Sequence, residues 1–505
     1  MTVLDTRPRL RRTAWLQLAT AGLLALLLLL LAPLLPGQID LTADRLYTLS
    51  DASRATLKQL DEPLQVYTIF SPDLPPPYSR IPPMVDRLLR SYRDAGGGYL
   101  RVHQLSPDSP QARALIGEHR LPKLELQAVA DDRASVQQGY LALVLEYRQR
   151  QLAIGAIEAE EGIEYRLTGK IRTLLGEQRG RIGLLTLPGT RTLADLSLLA
   201  RAIDEEYAWV EVDGDALAAG APLPPDLSLL LLPGLAAAPP AHLPERLNQL
   251  RRDGLGLLLL AGNVELAAGP GLTAQPVTAA ANDWLPALGV ALEPGLVADP
   301  HCSRIGVRRM QDGLLFANQV DYPFIVQVEQ PEQIDRHHSL GRYLRAAQIP
   351  FAAPLLAAGG GRAAVLLQSS PQAMVQGGPP FEVDPLRSLE ARFDGMQRRP
   401  STLALAFDGA AKGGGRMVAV GSRLLLDEQF LTGTNVVLLL DLFDWLAGND
   451  ATIELRSRNI TVRPLADPGA AGRAFFKGQW LIGLPLLIAL LGLWRWRRLR
   501  RRWAE

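Results

Sequence analysis

Two long apolar stretches near the ends of the 505-residue chain form its strongest hydrophobic pattern. No residue from Thr13 to Ile39 is charged, and a second uncharged run extends from Gly478 to Trp494. Because a helix rises about 1.5 Å per residue, roughly 20 apolar residues cross the hydrocarbon core of a bilayer. The pattern therefore predicts membrane-spanning helices at residues 13–36 and 476–495, the second at the short limit of length.

Basic tails flank both predicted spans. Four arginines lie among residues 1–12, and six more lie between Arg495 and Arg502. Because short arginine-rich tails stay in the cytoplasm, the tails at 1–12 and 496–505 are predicted to be cytoplasmic, in the bacterial inner membrane, with the region between them extracytoplasmic. Two alternatives remain: the first run is a cleaved signal peptide, or the second, which contains Pro485, is a buried core helix.

The first part of the intervening region alternates strands and helices. Apolar runs at Leu64–Phe70 and Tyr99–Leu105 enclose a segment with helical spacing, formed by Ile81, Val85, Leu88 and Tyr92. This βαβ start predicts a thioredoxin-like unit at residues 40–155. The unit has no Cys-x-x-Cys, which excludes redox chemistry of the thioredoxin kind.

Three later runs are apolar apart from Thr186 and Ser228, as strands buried on both faces are: Ile182–Leu187, Leu227–Leu232 and Leu257–Ala261. Residues with helical spacing lie between them, from Leu193 to Tyr207 and from Leu243 to Leu250. This alternation predicts a doubly wound, Rossmann-like parallel sheet at residues 176–300. The overall fold class is α/β, with a multi-domain extracytoplasmic region and an anchor at each end.

Residues 301–465 are predicted to be an irregular segment followed by a return to the α/β core. Pro and Gly are frequent until about residue 400. Regular patterns then return as strands at Thr402–Phe407 and Met417–Val420 and a helix at Asn435–Ala447. Residues 453–463 are predicted to be extended.

Charge separates the tails from the rest of the chain. The formal net charge is +1, while residues 1–12 carry +3 and residues 495–505 carry +5, so the region between them carries −7. An acidic region of this size argues against a nucleic-acid partner, which would need a basic face. Cys302 is the single cysteine, so the chain has no intrachain disulfide.

No constellation in the sequence reaches the pattern of a catalytic, cofactor or metal site. Gly162–Lys170 departs from the phosphate-loop spacing, and the turn Gly262–Asn263–Val264 after an apolar run has no Ser or Cys. Cys302 with His301 and Asp299 falls short of a metal-ligand set and fits an ordinary turn. The sequence therefore predicts a protein that is not an enzyme, with no cofactor.

Two further groups of polar residues are interpreted as surface. His337 and His338 lie in a polar stretch typical of a solvated loop. An acidic run before and at a helix start is interpreted as a solvated face, with a surface for a partner as the alternative; its members are Glu158, Glu160, Glu161 and Glu164.

Several motifs give the chain a resemblance to a known family. Asp40-Leu41-Thr42, Tyr47-Thr48-Leu49-Ser50 and Asp444-Trp445-Leu446-Ala447-Gly448 are the most specific. Looser similarity covers Leu64–Ser71, Ile163–Leu175, Val297–Asp299, Met417–Gly421, Gly433–Asn435 and Ile453–Arg456. With these segments the chain resembles the gliding-motility-type ABC transporter auxiliary proteins, a family with a region related to intraflagellar transport proteins.

Two turns depart from the family pattern. Many relatives have Gly-His-Gly-Glu where this chain has Pro188-Gly189-Thr190, and acidic residues where it has Ser422-Arg423. The resemblance implies an auxiliary subunit that associates with an ABC permease and a separate ATPase in the bilayer, as a homo- or hetero-oligomer. The alternatives are an extracytoplasmic hydrolase or amidotransferase-like enzyme, and an envelope scaffold without a transporter.

Overall fold

The structure is a computed structural model. It describes residues 48–458, apart from 131–132, 158–161, 178–179, 205, 267–272, 312–313, 360–362, 386–395 and 410–413, and it describes isolated helical positions between 472 and 496. The chain divides into a unit that ends at Asn459 and a unit at 460–505. Among the described residues, no helix is both long and apolar enough to cross a bilayer. The predicted span at 13–36 lies outside the described residues, as does most of the span at 476–495.

A four-stranded sheet organises the first part of the larger unit. Its strands are β1 (Leu64–Phe70), β2 (Leu100–Leu105), β5 (Leu141–Tyr147) and β6 (Arg150–Ile154), and a separate hairpin consists of β3 (Leu124–Ala130) and β4 (Arg133–Gly139). The strand order is β2-β1-β5-β6, with β1 parallel to β2 and antiparallel to β5. The accompanying helices are α1 (Asp51–Leu57), α2 (Ile81–Ala95), α3 (Pro110–Glu118) and α4 (Ile163–Leu174).

The predicted helical spacing in α2 places one apolar face on this sheet. Ile81, Val85, Leu89 and Tyr92 are all buried in a core that includes Leu64. Leu89 occupies the buried position to which the sequence assigned Leu88, because the helix turns 100° per residue and Leu88 lies at the edge of the buried face. Each fully buried Leu or Ile stabilises the fold by about 1.5–3 kcal/mol relative to an exposed one.

A seven-stranded sheet organises the rest of the unit. Its strands are β7 (Gly180–Thr186), β8 (Tyr207–Asp213), β9 (Leu227–Leu232), β10 (Gly256–Leu260), β19 (Ala363–Gln368), β21 (Thr402–Phe407) and β22 (Met417–Val420). The order is β19-β21-β22-β10-β9-β7-β8. The five strands from β22 to β8 are parallel, while β21 and β19 add an antiparallel edge.

Helices cover both faces of this sheet. They are α5 (Ser197–Ala202), α6 (Gly214–Ala218), α7 (Leu243–Arg252), α8 (Gly433–Leu446) and α9 (Asp450–Arg458). Leu199 of α5 and Leu439 of α8 share one core, and Leu217 of α6 and Leu247 of α7 share the core on the other face. The apolar strands β9 and β10 are buried between the two cores, as their composition predicts.

Strand β8 differs from the sequence prediction. The helical spacing from Leu193 to Tyr207 predicts one helix, but α5 ends at Ala202 and Tyr207 is the first residue of β8. The sequence Tyr-Ala-Trp-Val-Glu-Val-Asp alternates and is rich in aromatic and β-branched residues, which favour a strand. Tyr207 reaches the same core as the helix, so its apolar character fits both spacings.

Residues after 301 are more regular than predicted. Strands β15 (Cys302–Gln311) and β16 (Leu314–Val328) form a long antiparallel hairpin, and β17 (Ala347–Pro350) pairs with the end of β16. The prediction of an irregular segment was wrong here because a ribbon beyond the main core needs no continuous apolar face. Short strands complete the region: β11 (Val264–Leu266), β12 (Ala274–Pro276), β13 (Val290–Leu292), β14 (Leu296–Ala298), β18 (Leu355–Ala357) and β20 (Met374–Gln376).

The extended segment predicted at 453–463 was also wrong within its described part. Residues up to Arg458 belong to the helix α9, which buries Ile453, Leu455 and Arg456. Ile453 and Leu455 are two positions apart, which imitates the alternation of a strand. Residues 459–463 lie outside the described part of the chain.

Candidate functional site

The carboxyl edge of the parallel strands is the first place to look for a site. The five strands are parallel, but their sequence order across the sheet changes at β7: β8 follows on one side of it, and β9, β10 and β22 follow on the other. The order therefore reverses between β7 and β9. Open parallel sheets bind ligands in the crevice at such a reversal, outside the carboxyl ends of the strands. The turns that form this edge are Leu187–Thr190, Pro233–Leu235, Ala261–Asn263 and Gly421–Arg423.

The side chain of Arg423 fills the crevice beyond β9 and β10. Its Nη1 donates to the Leu235 carbonyl oxygen at 2.6 Å, and its Nε donates to Glu265 Oε1 at 2.6 Å. The Arg423 side chain is only 3% exposed, whereas the Glu265 side chain is 41% exposed. The guanidinium is therefore buried below a carboxylate that reaches solvent.

Two glycines make room for this arginine. A Cβ at Gly234 would lie 2.6 Å from Arg423 Cγ, and a Cβ at Gly262 would lie 3.2 Å from the same atom. Any larger residue at Gly234 would displace the arginine. The sequence thus provides space at the ends of β9 and β10, and the chain's own side chain occupies that space.

The turn after β7 is closed by its own hydrogen bonds. Thr190 Oγ1 accepts from the Leu187 amide at 2.8 Å and donates to the Leu187 carbonyl oxygen at 2.8 Å. Gly189 adopts a φ of +80°, which a residue with a side chain rarely adopts. Nearby, Arg191 pairs with Asp427, whose pKa burial raises. Side chains of this chain thus pair with one another around the crevice.

A second cluster of polar residues lies where the two sheets meet, on α4. Ser50, which caps α1, donates its backbone N–H to Glu164 Oε1 at 2.9 Å, and Ser53 Oγ donates to the same oxygen at 2.7 Å. Tyr92 donates to the Glu164 carbonyl oxygen at 3.1 Å. All four residues are buried. The carboxylate of Glu164 thus fixes the amino-terminal end of the described chain to α4. None of the three residues that bond to Glu164 here is a cation.

The carboxyl-terminal end of the described unit is fixed to the same helix by Arg456. Its guanidinium donates to Asp441 Oδ1 and to Asp444 Oδ2, both on α8 and both at 2.5 Å. It also donates to Tyr165 Oη on α4 at 2.8 Å. Tyr207 of β8 donates to Asp444 Oδ1 at 2.6 Å. One arginine thus connects α9, the seven-stranded sheet and α4.

This cluster contains more negative than positive charge. Two buried carboxylates share one guanidinium, and burial raises the pKa of Asp441 to about 6, while Arg456 opposes that rise. Burial also raises the pKa of Tyr165 and of Tyr207. Uptake of one proton by the carboxylate pair would leave a neutral buried ion pair with Arg456.

The raised pKa of Asp441 gives a pH dependence with a definite sign. The folded pKa of about 6 exceeds the unfolded value of about 3.9, so the folded state binds the proton more tightly. Its stabilising effect is complete below about pH 4 and is lost as the pH rises through about 6. From pH 7.5 to 5.5, the free energy of unfolding should therefore rise by about 1 kcal/mol from this group.

Urea unfolding at both pH values, for wild type and Asp441→Asn, measures this effect. The asparagine still accepts from Arg456 but cannot titrate, so the difference between the two proteins isolates the group. Parallel pH profiles for wild type and Asp441→Asn would contradict the assignment.

A cavity of about 150 Å³ opens beside this cluster. Its lining includes Tyr165, Lys170, Arg172, Glu206 and Thr452. Arg172 Nη1 crosses it to donate to Thr452 Oγ1 at 2.9 Å. Pockets for small molecules typically have volumes of about 300–1,000 Å³, so this gap suits water better than a ligand.

Two family models match the chain. One, described as an ABC-type uncharacterized transport system, matches residues 179–437, which is just over half of the chain. The chain belongs to this family. The other is a domain of unknown function, DUF7088, and matches residues 43–146 of this ABC-type transport family member. No curated protein matches the chain.

Three solved structures that are similar to this family member come from different kinds of protein. The mmIFT52 N-terminal domain has 13% identity and a TM-score of 0.34, covering 53% of this chain and 97% of its own. A putative thua-like protein from Parabacteroides merdae has 14% identity and a TM-score of 0.30, covering 54% and 90%. PurLQS from Thermotoga maritima has 11% identity and a TM-score of 0.26, covering 53% and 100%. Likeness at these scores says nothing about what this chain does.

The residues that the sequence singled out for chemistry are dispersed in this family member. Asp299 is buried and accepts from the Ser370 amide and hydroxyl, both at 2.6 Å, and from the His301 amide at 2.8 Å. Cys302 is half-buried, and burial raises the pKa of its thiol to about 11. Asp299 therefore fixes a turn. Among the described residues, no group of three or more His, Cys, Asp or Glu side chains could hold a metal ion.

Two surface interpretations need correction. Glu164 is 8% exposed and belongs to the buried cluster on α4, while Glu158, Glu160 and Glu161 lie outside the described residues. The acidic run was interpreted as a solvated face, but Glu164 is turned inward by its place in the first turn of α4. Of the histidine pair, His337 is exposed, while His338 is buried with its ring 5.2 Å from the Trp445 ring.

Gly162–Lys170, the nearest approach to a phosphate loop, begins α4. Gly162 precedes the first residue of the helix with a φ of +77°, and Lys170 lies two turns along it. No structural role was predicted for Arg423, Arg456, Asp441 or Asp444, although all but Asp441 lie in segments that were compared with the family. A signal existed for the last two, because they are the acidic residues of the otherwise apolar helix α8.

Proposed function

We propose that this chain is a non-enzymatic auxiliary subunit of an ABC-type transport system, of the gliding-motility type. It is anchored in the bacterial inner membrane by spans at 13–36 and 476–495, with both termini cytoplasmic and the region between them extracytoplasmic. Its partners are an ABC permease and a separate ATPase. The observation that carries the proposal is the family match over residues 179–437.

The filled crevice supports the non-enzymatic part of the proposal. An enzyme built on a doubly wound sheet needs an open crevice at the carboxyl edge for its substrate. Arg423 occupies the volume beyond β9 and β10, next to the reversal between β7 and β9, and is held by Leu235 and Glu265, so this chain itself fills part of the carboxyl edge. The four-stranded unit serves as a structural part: we infer a thioredoxin-like fold from its order β2-β1-β5-β6, without a redox role.

The cluster on α4 supports a mechanical role for this chain, in which a displacement of the membrane spans moves the extracytoplasmic region. Residues 50–53 follow the first proposed span, and Arg456 precedes the second. Both are fixed to α4, through Glu164 and Tyr165 respectively. With its two ends held by one helix, the described unit suits a subunit that presents a rigid surface beside a permease.

Co-purification of the full chain in a mild detergent tests the proposal. We expect a permease and an ATPase to be recovered with the wild-type chain, and to be lost when residues 476–495 are replaced by an unrelated span of the same length. The matched control replaces residues 13–36 in the same way. Recovery of neither protein with the wild type, or a topology reporter that places the tail at 496–505 outside the cell, would overturn the proposal.

A nucleophile-directed probe separates the enzyme alternative. Labelling of a single residue of the full chain, abolished when that residue is substituted, would show a hydrolase-like activity and contradict the non-enzymatic part. Co-purification of envelope proteins without a permease or ATPase would favour the scaffold instead.

A further inference from the structure

Strand β8 forms one edge of the seven-stranded sheet. It pairs with β7 over all seven residues from Tyr207 to Asp213, in one uninterrupted register. Within the part of the chain that the structure describes, β8 is the outermost strand on its side. It therefore presents a row of backbone N–H and C=O groups to which no strand is paired, which is a template for another strand.

The opposite edge of the same sheet is protected. Strand β19 has register shifts between Val365 and Leu367 and between Leu367 and Gln368. Leu367 also forms a β-bridge with Ile334 on its outer side. Irregular strands and covering segments are the usual devices against unwanted pairing. Strand β8 has neither a register shift nor a bridging segment among the described residues. The β8 edge of the sheet should therefore accept a new strand more readily than the β19 edge.

Trp209, in the middle of β8, is incompletely satisfied. Its ring meets the Phe443 ring edge-on, with the centroids 6.1 Å apart. Its Nε1 is buried and has no hydrogen-bond partner among the described residues. A buried donor without an acceptor costs about 1–3 kcal/mol. Since the ring packs on the α8 side of the sheet, the backbone edge of β8 stays clear of the indole.

The charge around β8 selects the partner. Residues 204–215, which contain the strand and its flanks, include six Asp and Glu residues and no Lys or Arg, while Arg181 of β7 lies opposite Ala208. On the strand itself, Glu211 and Asp213 are exposed, while Ala208 and Val210 are half-buried. A second copy of β8 would bring like charges together, which destabilises a strand pair, whereas a basic strand would be attracted.

We propose that the free edge of β8 binds an extended, basic segment of another polypeptide, which adds to the sheet as an eighth strand. Backbone hydrogen bonds to β8 provide the affinity, as in other cases of strand addition. Basic side chains of the segment meet Glu211 and Asp213, and apolar ones contact Trp209. This surface does not depend on the identity of the transport partners, so it stands or falls apart from the proposed function.

The test uses the full chain in detergent and the end-blocked heptapeptide Val-Thr-Val-Thr-Lys-Thr-Lys as the probe. Its odd positions share one face, as Tyr207, Trp209, Glu211 and Asp213 do on β8, so parallel pairing puts valines beside the aromatic residues and lysines beside the acidic ones. We expect saturable binding by calorimetry, and about tenfold weaker binding to Glu211→Lys. Asp94→Lys is the matched control, since Asp94 is exposed on α2 and the substitution changes the charge equally. It should bind as wild type does.

Because Glu211 Oε1 also accepts from the Leu193 amide at 2.7 Å, a second variant is needed. Glu211→Gln keeps a side-chain oxygen that can accept from the Leu193 amide and removes the charge. We expect it to weaken the peptide about threefold, in the same direction as Glu211→Lys. An unchanged dissociation constant for Glu211→Gln would contradict the role given to the charge of Glu211.

A heptapeptide methylated at every backbone nitrogen keeps the charge but cannot pair with a strand. Equal binding of the methylated and unmethylated peptides would reduce the effect to charge attraction and overturn the proposal. The absence of saturable binding, or equal weakening by Glu211→Lys and Asp94→Lys, would do the same. Concentration-dependent dimerisation of the wild type that Val210→Pro abolishes would show that a second copy covers β8, again against the proposal.

Discussion

Replacing Arg456 by methionine should lower the free energy of unfolding by about 3–5 kcal/mol. The methionine fills similar volume, but it leaves Asp441 and Asp444 without the guanidinium that each contacts at 2.5 Å. Both carboxylates are at most 5% exposed, so water cannot replace the arginine. Pulse proteolysis of the full chain in urea measures the loss.

The control for Arg456→Met is an arginine in an exposed pair. Arg54 contacts Asp51 at 2.5 Å, but the two side chains are 41% and 81% exposed. Exposed pairs contribute about 0–1 kcal/mol, so Arg54→Met should hardly change stability. Equal losses for the two variants would mean that burial of the Arg456 cluster has no special effect, contrary to our interpretation.

A combined variant separates lost attraction from uncompensated charge. Adding Asp441→Asn and Asp444→Asn to Arg456→Met removes both buried charges. Since most of the penalty for breaking a buried pair comes from the charge left behind, the triple variant should recover part of the loss. A triple variant less stable than Arg456→Met would show that the carboxylates have other essential partners.

The apolar patterning of the sequence was enough to predict most of the sheet architecture. Runs such as Leu227–Leu232 and Leu257–Ala261 could be predicted as buried strands because they are almost wholly apolar and only five or six residues long, too short for a buried helix. The boundary near Tyr207 could not be placed, since a buried aromatic residue satisfies helical and strand spacing alike. Local patterns also gave no sign of the β15–β16 hairpin. Backbone pairing between its strands stabilises it, and its sequence shows no clear alternation of apolar and polar residues.

The polar clusters were beyond sequence reasoning for a different reason. Arg423 and Glu265 are 158 residues apart in sequence, and Arg456 and Tyr165 are 291 apart. No local spacing connects such pairs; they meet only after the sheets have formed. The sequence does contain residues that make room for these pairs or complete them. Gly234 and Gly262 leave space for Arg423, and two aspartates lie in the mostly apolar helix α8.

The two clusters have different consequences for a subunit of a transport system. The Arg423 cluster fills the carboxyl edge of the sheet beyond β9 and β10 with a side chain of this chain. The α4 cluster fixes both ends of the described unit to one helix, so a displacement at either end would reach both sheets. Disruption of the α4 cluster should therefore destabilise both ends of the described unit together, while disruption at Arg423 should not reach the chain ends.

Glu164→Leu is expected to destabilise the chain by about 3 kcal/mol, measured by pulse proteolysis as above. The substitution leaves the Ser50 amide and the Ser53 hydroxyl without the oxygen they share, in a site where Ser50 and Ser53 are fully buried. Ser53 Oγ still has Thr168 Oγ1 at 2.8 Å, so the Ser50 amide bears most of the cost.

Two controls separate this cause from others. Glu164→Gln keeps an acceptor oxygen and removes the buried charge, so it should retain most of the stability. Glu245→Leu changes another carboxylate in the first turn of a helix, but an exposed one, and should cost less than about 1 kcal/mol through the helix dipole alone. If Glu164→Gln were as damaging as Glu164→Leu, the charge itself would be required, and the amino-terminal attachment to α4 would depend on a cation rather than on these hydrogen bonds.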